Sequence, residues 1–196
     1  MPNGELLYEA DKFKVAAIGG TTNGDIYTGI KPESSPNVAI LMDAGIIAPV
    51  TMCVKLHSMN FGCTQRGFED LANLPVPCRM SVTSLDFSGN PLVTKSFDYE
   101  PKYVVKVTQL LPPKFTVNAA TVLAHFDFPQ PTNRKYRVTA KIGTASSPFI
   151  DAFLLLLPPS GFKNAVKDFF DKLSDYSVDL LFDDLVYETV GCPTGI

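Results

Sequence analysis

Between residues 135 and 142 the chain reads Lys-Tyr-Arg-Val-Thr-Ala-Lys-Ile. Successive side chains of a strand point to opposite faces. Tyr136, Val138, Ala140 and Ile142 therefore share one side, and Lys135, Arg137, Thr139 and Lys141 share the other. One dry and one wet face is the mark of an antiparallel sheet exposed on one side. The same period recurs at Val50, Met52, Val54 and Leu56, at Met80 and Val82 between Arg79, Ser81 and Thr83, and at Tyr103, Val105 and Val107. Sixteen Pro and thirteen Gly in 196 residues break the chain into many short elements, which suits sheets better than long helices.

The remaining strands follow from their punctuation. Ser88-Gly89-Asn90-Pro91 is a turn leading into Leu92–Tyr99. Lys114–Phe128 is apolar and β-prone and ends in a turn at Pro129–Asn133. Phe149–Leu157 reads as a buried strand stopped by Pro158-Pro159. Residues 178–190 read as a closing hairpin about Asp183-Asp184. The helical signals are two. Ser160 caps a helix to Leu173 whose Phe162, Ala165, Val166, Phe169, Phe170 and Leu173 recur at helical spacing. Thr64 caps a shorter one over Gln65–Asn73, closed by Pro75 and Pro77. The expected fold is mainly β, an antiparallel sandwich or open barrel, with one C-terminal amphipathic helix and a short helix near residues 65–73, α+β by content.

Residues 1–48 are dense in turn chemistry, with Gly19-Gly20, Asn23-Gly24 and Lys31–Asn37. They read as an N-terminal extension, with a hairpin at Asn23-Gly24 between Val15–Ile18 and Ile26–Ile30. Residues 49–196 read as a single β-rich domain.

The net charge of −3 is unevenly spread. Residues 101–150 carry seven Lys or Arg against one carboxylate, Asp127, whereas residues 151–196 are acidic. Such asymmetry favours self-association between unlike faces. The basic residues Lys114, Arg134, Lys135, Arg137 and Lys141 are the candidates for contact with phosphate or an anionic membrane. The acidic residues Asp171, Asp175, Asp179, Asp183 and Asp184 are those for self-association. A basic face also suits RNA, through the phosphates.

Catalytic signatures are missing from the sequence. It has no phosphate-binding Gly-rich loop ending in Lys, no G-x-S-x-G and no H-E-x-x-H. Catalytic residues, metal ligands and cofactors are therefore expected to be none, and the protein is expected not to be an enzyme. Cys53, His57, Cys63 and Cys78 match no zinc-module spacing, and the four cysteines, with Cys192, read as reduced thiols. The opening MPNGELLYEADKFKV has no basic stretch followed by an apolar run, and the longest apolar run, Ala152–Pro159, is too short to span a bilayer. No secretion and no membrane span are expected.

The run Lys114-Phe115-Thr116-Val117-Asn118-Ala119 through Val122-Leu123-Ala124, the Pro-rich turn, and Lys135-Tyr136-Arg137-Val138 leading to Gly143-Thr144 resembles the matrix proteins of non-segmented negative-strand RNA viruses. The helix at Ser160–Leu173 with the segment to Val190 is similar in arrangement to the tail of rhabdovirus matrix proteins. The resemblance implies a viral matrix-like structural protein that self-associates, binds anionic lipid membrane and links to the viral nucleocapsid during virion assembly. It would lie in the virion and the host cytoplasm, at the inner face of the membrane. Two departures stand out: the chain is not basic as a whole, and it has no Pro-Pro-x-Tyr release motif. A capsid or movement-type β-sandwich binding RNA and a small apolar-ligand carrier are the alternatives.

Overall fold

The computed structural model describes residues 6–9, 13–17, 21–23, 26–31, 37–42, 44–49, 53–66, 74–86, 88–110, 113–128, 135–143, 155, 163–164, 167–168, 171 and 177–190. Nearly all of them are strand. In chain order these are β1 (Leu6–Glu9), β2 (Phe13–Ala17), β3 (Thr21–Asn23), β4 (Ile26–Lys31), β5 (Asn37–Met42), β6 (Ala44–Pro49), β7 (Cys53–Arg66), β8 (Cys78–Leu85), β9 (Pro91–Tyr99), β10 (Tyr103–Leu110), β11 (Pro113–Ala120), β12 (Val122–His125), β13 (Lys135–Ile142) and β14 (Ser177–Val190).

They pair into three sheets. The first runs β1-β6-β13-β8-β9 and the second β12-β7-β14-β5-β2, both antiparallel throughout. The third runs β10-β11-β4-β3, with β11 and β4 parallel.

The first and second sheets share one core. Leu56, Met59, Phe61 and Cys63 of β7 and Leu180 and Phe182 of β14 lie in one buried cluster with Met80 and Val82 of β8 and Tyr136 and Val138 of β13. Three described side-chain contacts that cross between the sheets stand out. The rings of Phe61 and Tyr99 meet at 6.0 Å. Tyr136 Oη donates to the carbonyl of Val54 at 2.8 Å. Cys63 and Cys78 are joined as a disulfide, with Cα atoms 6.2 Å apart. Burying a large apolar side chain stabilises by roughly 1.5–3 kcal/mol, so this shared core outweighs any surface pair.

The β8–β9 hairpin forms where the turn residues place it. Gly89 takes a positive φ of 86°, which costs glycine nothing. The Asp86 carboxylate accepts from Asn90 through both its backbone N–H (2.8 Å) and its side-chain amide (2.9 Å). These bonds hold the Asp86 carboxyl below the usual carboxylate range. On the free edge of the first sheet, Lys95 sits opposite Val82 and is half-buried. An inward-leaning cation on an edge strand opposes pairing with a further strand.

Several expectations need correction. The cysteines are not free thiols: Cys63–Cys78 is a disulfide and Cys53 is disulfide-bonded as well. Spacing along the chain says nothing about proximity, and here the end of β7 and the start of β8 fall on facing sheets. Gln65 and Arg66 close β7 and do not open a helix. The rest of the helix expected near 65–73 lies outside the described residues; beyond it Leu74 and Pro75 return beside β7, with Gln65 N–H donating to the Leu74 carbonyl at 3.0 Å. Leu155 is helical and 80% exposed, against a buried strand there.

Residues 178–190 are not a hairpin. They belong to one strand, β14, that pairs with β7 from Ser177↔Arg66 to Val190↔Cys53. The turn-like Asp183-Asp184 is absorbed as a bulge between Asp183 and Val186. There Asp184 takes φ 48°, its N–H bonded to Asp183 Oδ1 at 2.8 Å. Asp tolerates that conformation better than most residues.

The hairpin at Asn23-Gly24 exists with a different first strand. Thr21–Asn23 pairs with β4, Asn23 opposite Ile26, while Val15 belongs to β2 in the second sheet. Strands from residues 6–49 are also not set apart from the rest, since β5 pairs with β14, β6 with β13 and β4 with β11. Lys114–Phe128 divides at Thr121 between β11 of the third sheet and β12 of the second. Of the expected helix Ser160–Leu173, the described members Lys163, Asn164, Lys167, Asp168 and Asp171 are helical. Its apolar face, with Phe169 and Phe170, lies outside the described residues.

Candidate anion-docking face

β13 sits in the middle of the first sheet, between β6 and β8. Its inner residues Tyr136 and Val138 are buried completely. That anchoring fixes the outer set: Arg137 and Lys141 are exposed, Lys135 and Thr139 half-exposed. The alternation read from the sequence is therefore the alternation of the strand.

Register extends this face across two neighbours. Lys141 stands opposite Arg79, Thr139 opposite Ser81 and Arg137 opposite Thr83. On β9, Asp98 faces Arg79, Ser96 faces Ser81 and Thr94 faces Thr83. Three rows result, and paired strands lie about 4.8 Å apart. One is Lys141-Arg79-Asp98, the next Thr139-Ser81-Ser96, the third Arg137-Thr83-Thr94. On the far side of β13 the rows reach Ala44 and Ile46 of β6, opposite Thr139 and Arg137.

The side chains lock together across β8 and β9. Ser81 Oγ and Ser96 Oγ are 2.8 Å apart, and Thr83 Oγ1 and Thr94 Oγ1 2.9 Å. Arg79 grips Asp98 with two prongs, Nε donating to Oδ1 at 2.7 Å and Nη2 to Oδ2 at 3.0 Å. The hydrogen bond from Arg79 lowers the Asp98 carboxyl, and the same contact raises the Arg79 guanidinium. Asp98 so offsets Arg79; Lys135, Arg137 and Lys141 are the further cations of the described face, and Glu9 of β1, opposite Ile46, ends the row of Arg137.

The other expected contacts are dispersed. Lys114 stands in β11, in the third sheet, and shares no sheet with β13. Arg134 and Asp175 lie outside the described residues. Asp179 and Asp183 are half-buried on β14, Asp184 is exposed at the bulge with Asn60 Nδ2 at 3.3 Å, and Asp171 stands on a helical residue. The acidic set is thus divided between a strand and a helix.

Among the described residues no group of three or more His, Cys, Asp or Glu is placed to hold a metal ion. Cys53, Cys63 and Cys78 are in disulfides and do not act as thiolates. His57 pairs with Glu188 at 3.4 Å on the outer side of the second sheet, both partly exposed. Buried polar groups serve structure: Tyr99 Oη donates to the carbonyl of Ala120 at 3.1 Å and Tyr103 Oη to that of Pro75. Burial pushes both phenols up.

Arg79, Ser81, Thr83, Thr94 and Ser96 are not among the contact residues expected from single strands, although the alternation of Arg79, Ser81 and Thr83 with Met80 and Val82 is. The signal that finds them is the turn at Ser88–Pro91: once it is a tight hairpin, Thr83 must face Thr94. No helix among the described residues is long and apolar enough to cross a membrane. Comparison of the chain with protein-family models, with curated proteins and with solved structures finds no match.

Proposed function

We propose that this chain is a non-catalytic β-sandwich that works by docking the outer face of its first sheet on an anionic surface. The carrying observation is the outward row Lys135, Arg137 and Lys141 on a strand whose opposite face buries Tyr136 and Val138 completely. The cations are held in one plane by the core and cannot collapse onto it. Each cation near an anionic surface contributes about 1 kcal/mol, so three supply about 3 kcal/mol. That supports reversible docking, and several copies acting together strengthen it.

The matrix-like role is the narrower form of this reading: self-association beneath an anionic membrane, with contact to a nucleocapsid. The basic strand favours it. The Cys63–Cys78 disulfide opposes its cytoplasmic half, because thiols there are kept reduced. The reading we adopt therefore keeps the anionic partner and places the docking in an oxidising compartment.

The test is binding of the intact protein to three polyanions, an acidic polysaccharide, phosphatidylserine vesicles and single-stranded RNA, in rising salt. At least one should bind, weaken steeply with salt, and lose the Lys135→Gln, Arg137→Gln, Lys141→Gln variant. Binding to none of them in low salt overturns the reading.

A further inference from the structure

Resting on that docking reading, we infer that the anionic partner is an acidic polysaccharide, recognised through its anions and its sugar hydroxyls together. The cations do not stand alone. Thr139, Ser81 and Ser96 form one row beside them, and Thr83 with Thr94 continues the row of Arg137. A hydroxyl can donate one hydrogen bond and accept two. The Ser81–Ser96 and Thr83–Thr94 pairs therefore orient one another and keep further capacity toward a ligand.

Two observations separate this partner from other polyanions. The Cys63–Cys78 bridge belongs to an oxidising compartment, whereas anionic lipids concentrate on the cytoplasmic leaflet. Binders of single-stranded nucleic acid combine cations with exposed aromatic platforms. The described outward residues of β13, β8 and β9 are Lys, Arg, Ser, Thr and Asp, with Leu92 at one end and no aromatic ring among them. Charge complementarity with hydroxyls on the same plane fits a carboxylated or sulfated sugar polymer.

The experiment compares polygalacturonate with polyglutamate at equal carboxylate concentration and salt: the anion is the same and only the first carries sugar hydroxyls. Polygalacturonate should bind roughly tenfold more tightly, the worth of one or two net hydrogen bonds. The variant Ser81→Ala, Thr83→Val, Thr94→Val, Ser96→Ala should erase that preference while still binding polyglutamate. Its thermal midpoint should stay close to the parent's, because both partners of each pair become apolar together. Equal binding of the two polymers by the parent protein, or tighter binding to phosphatidylserine vesicles or RNA, overturns the inference and leaves the docking reading standing. Failure to bind any polyanion overturns both.

Discussion

Tyr136 and Val54 are joined across the two main sheets, the phenol donating to the backbone carbonyl at 2.8 Å. The strand that presents Arg137 and Lys141 is thereby tied to the opposite sheet by its own next residue. Tyr136 is fully buried, and its ring also meets that of Phe128 at 5.2 Å.

Tyr136→Phe keeps the ring and removes the hydrogen bond to the Val54 carbonyl. The cost should be about 1 kcal/mol, the net value of a typical intramolecular hydrogen bond. Equilibrium urea unfolding measures it. A change under a few tenths of a kcal/mol would mean that the bond contributes nothing.

The disulfide makes a second claim. Cys63 and Cys78 close a loop with a sequence separation of 15. A bridge over that length stabilises by about 3 kcal/mol in the chain-entropy description. The Cys63→Ala, Cys78→Ala double variant should lose stability on that scale. Peptide mapping without reduction should recover Cys63 linked to Cys78, and Cys53 bonded rather than alkylated. Four alkylated cysteines in the native protein would refute the pairing.

Acid should weaken the β8–β9 hairpin before the core. Asp98 and Asp86 both have carboxyls lowered by hydrogen bonds, from Arg79 and Asn90 respectively. A lowered folded value stabilises above the unfolded pKa of about 4 and is lost as pH falls through the folded value. From neutrality down to about pH 5 these two groups should leave stability unchanged, and below about pH 4 their contribution should fade. Asp98→Asn should flatten the acid limb of a stability-against-pH curve. An unchanged limb would show that the Arg79 contact adds nothing, as many exposed pairs do.

Gly143 makes a close approach at the end of β13. Its N–H donates to the carbonyl of Pro77 at 2.9 Å, and an added Cβ would lie 3.3 Å from the amide nitrogen of Cys78. Gly143→Ala therefore requires the Cys78 backbone or the end of β13 to give by a few tenths of an ångström. A lowered thermal midpoint is expected, with a modest loss of polyanion binding, since Lys141 stands two residues from Gly143 while Lys135 and Arg137 lie further along the strand.

The sequence was readable where one face of a strand is wet and the other dry. Lys135–Ile142 and Cys78–Leu85 alternate because water meets one side only, so the pattern survives in the residues. β7 defeats that reading beyond Met59: Phe61, Gly62, Cys63, Thr64 and Gln65 are all buried, and no alternation is left to see. Asp183-Asp184 misled in the opposite way, because a bulge and a turn use the same residue types. The docking face was half legible. Its cations were visible on β13 alone, whereas its hydroxyl rows exist only once three strands are in register.

Lysine footprinting tests the docking face most directly. The intact protein is acetylated with and without saturating polygalacturonate, and each lysine's modification is read by mass spectrometry. Lys135 and Lys141 should be shielded, while Lys163 and Lys167, on helical residues, and Lys55 on β7 keep their reactivity. Shielding of Lys163 and Lys167 with Lys135 and Lys141 left reactive would place the contact elsewhere and end the case for this sheet.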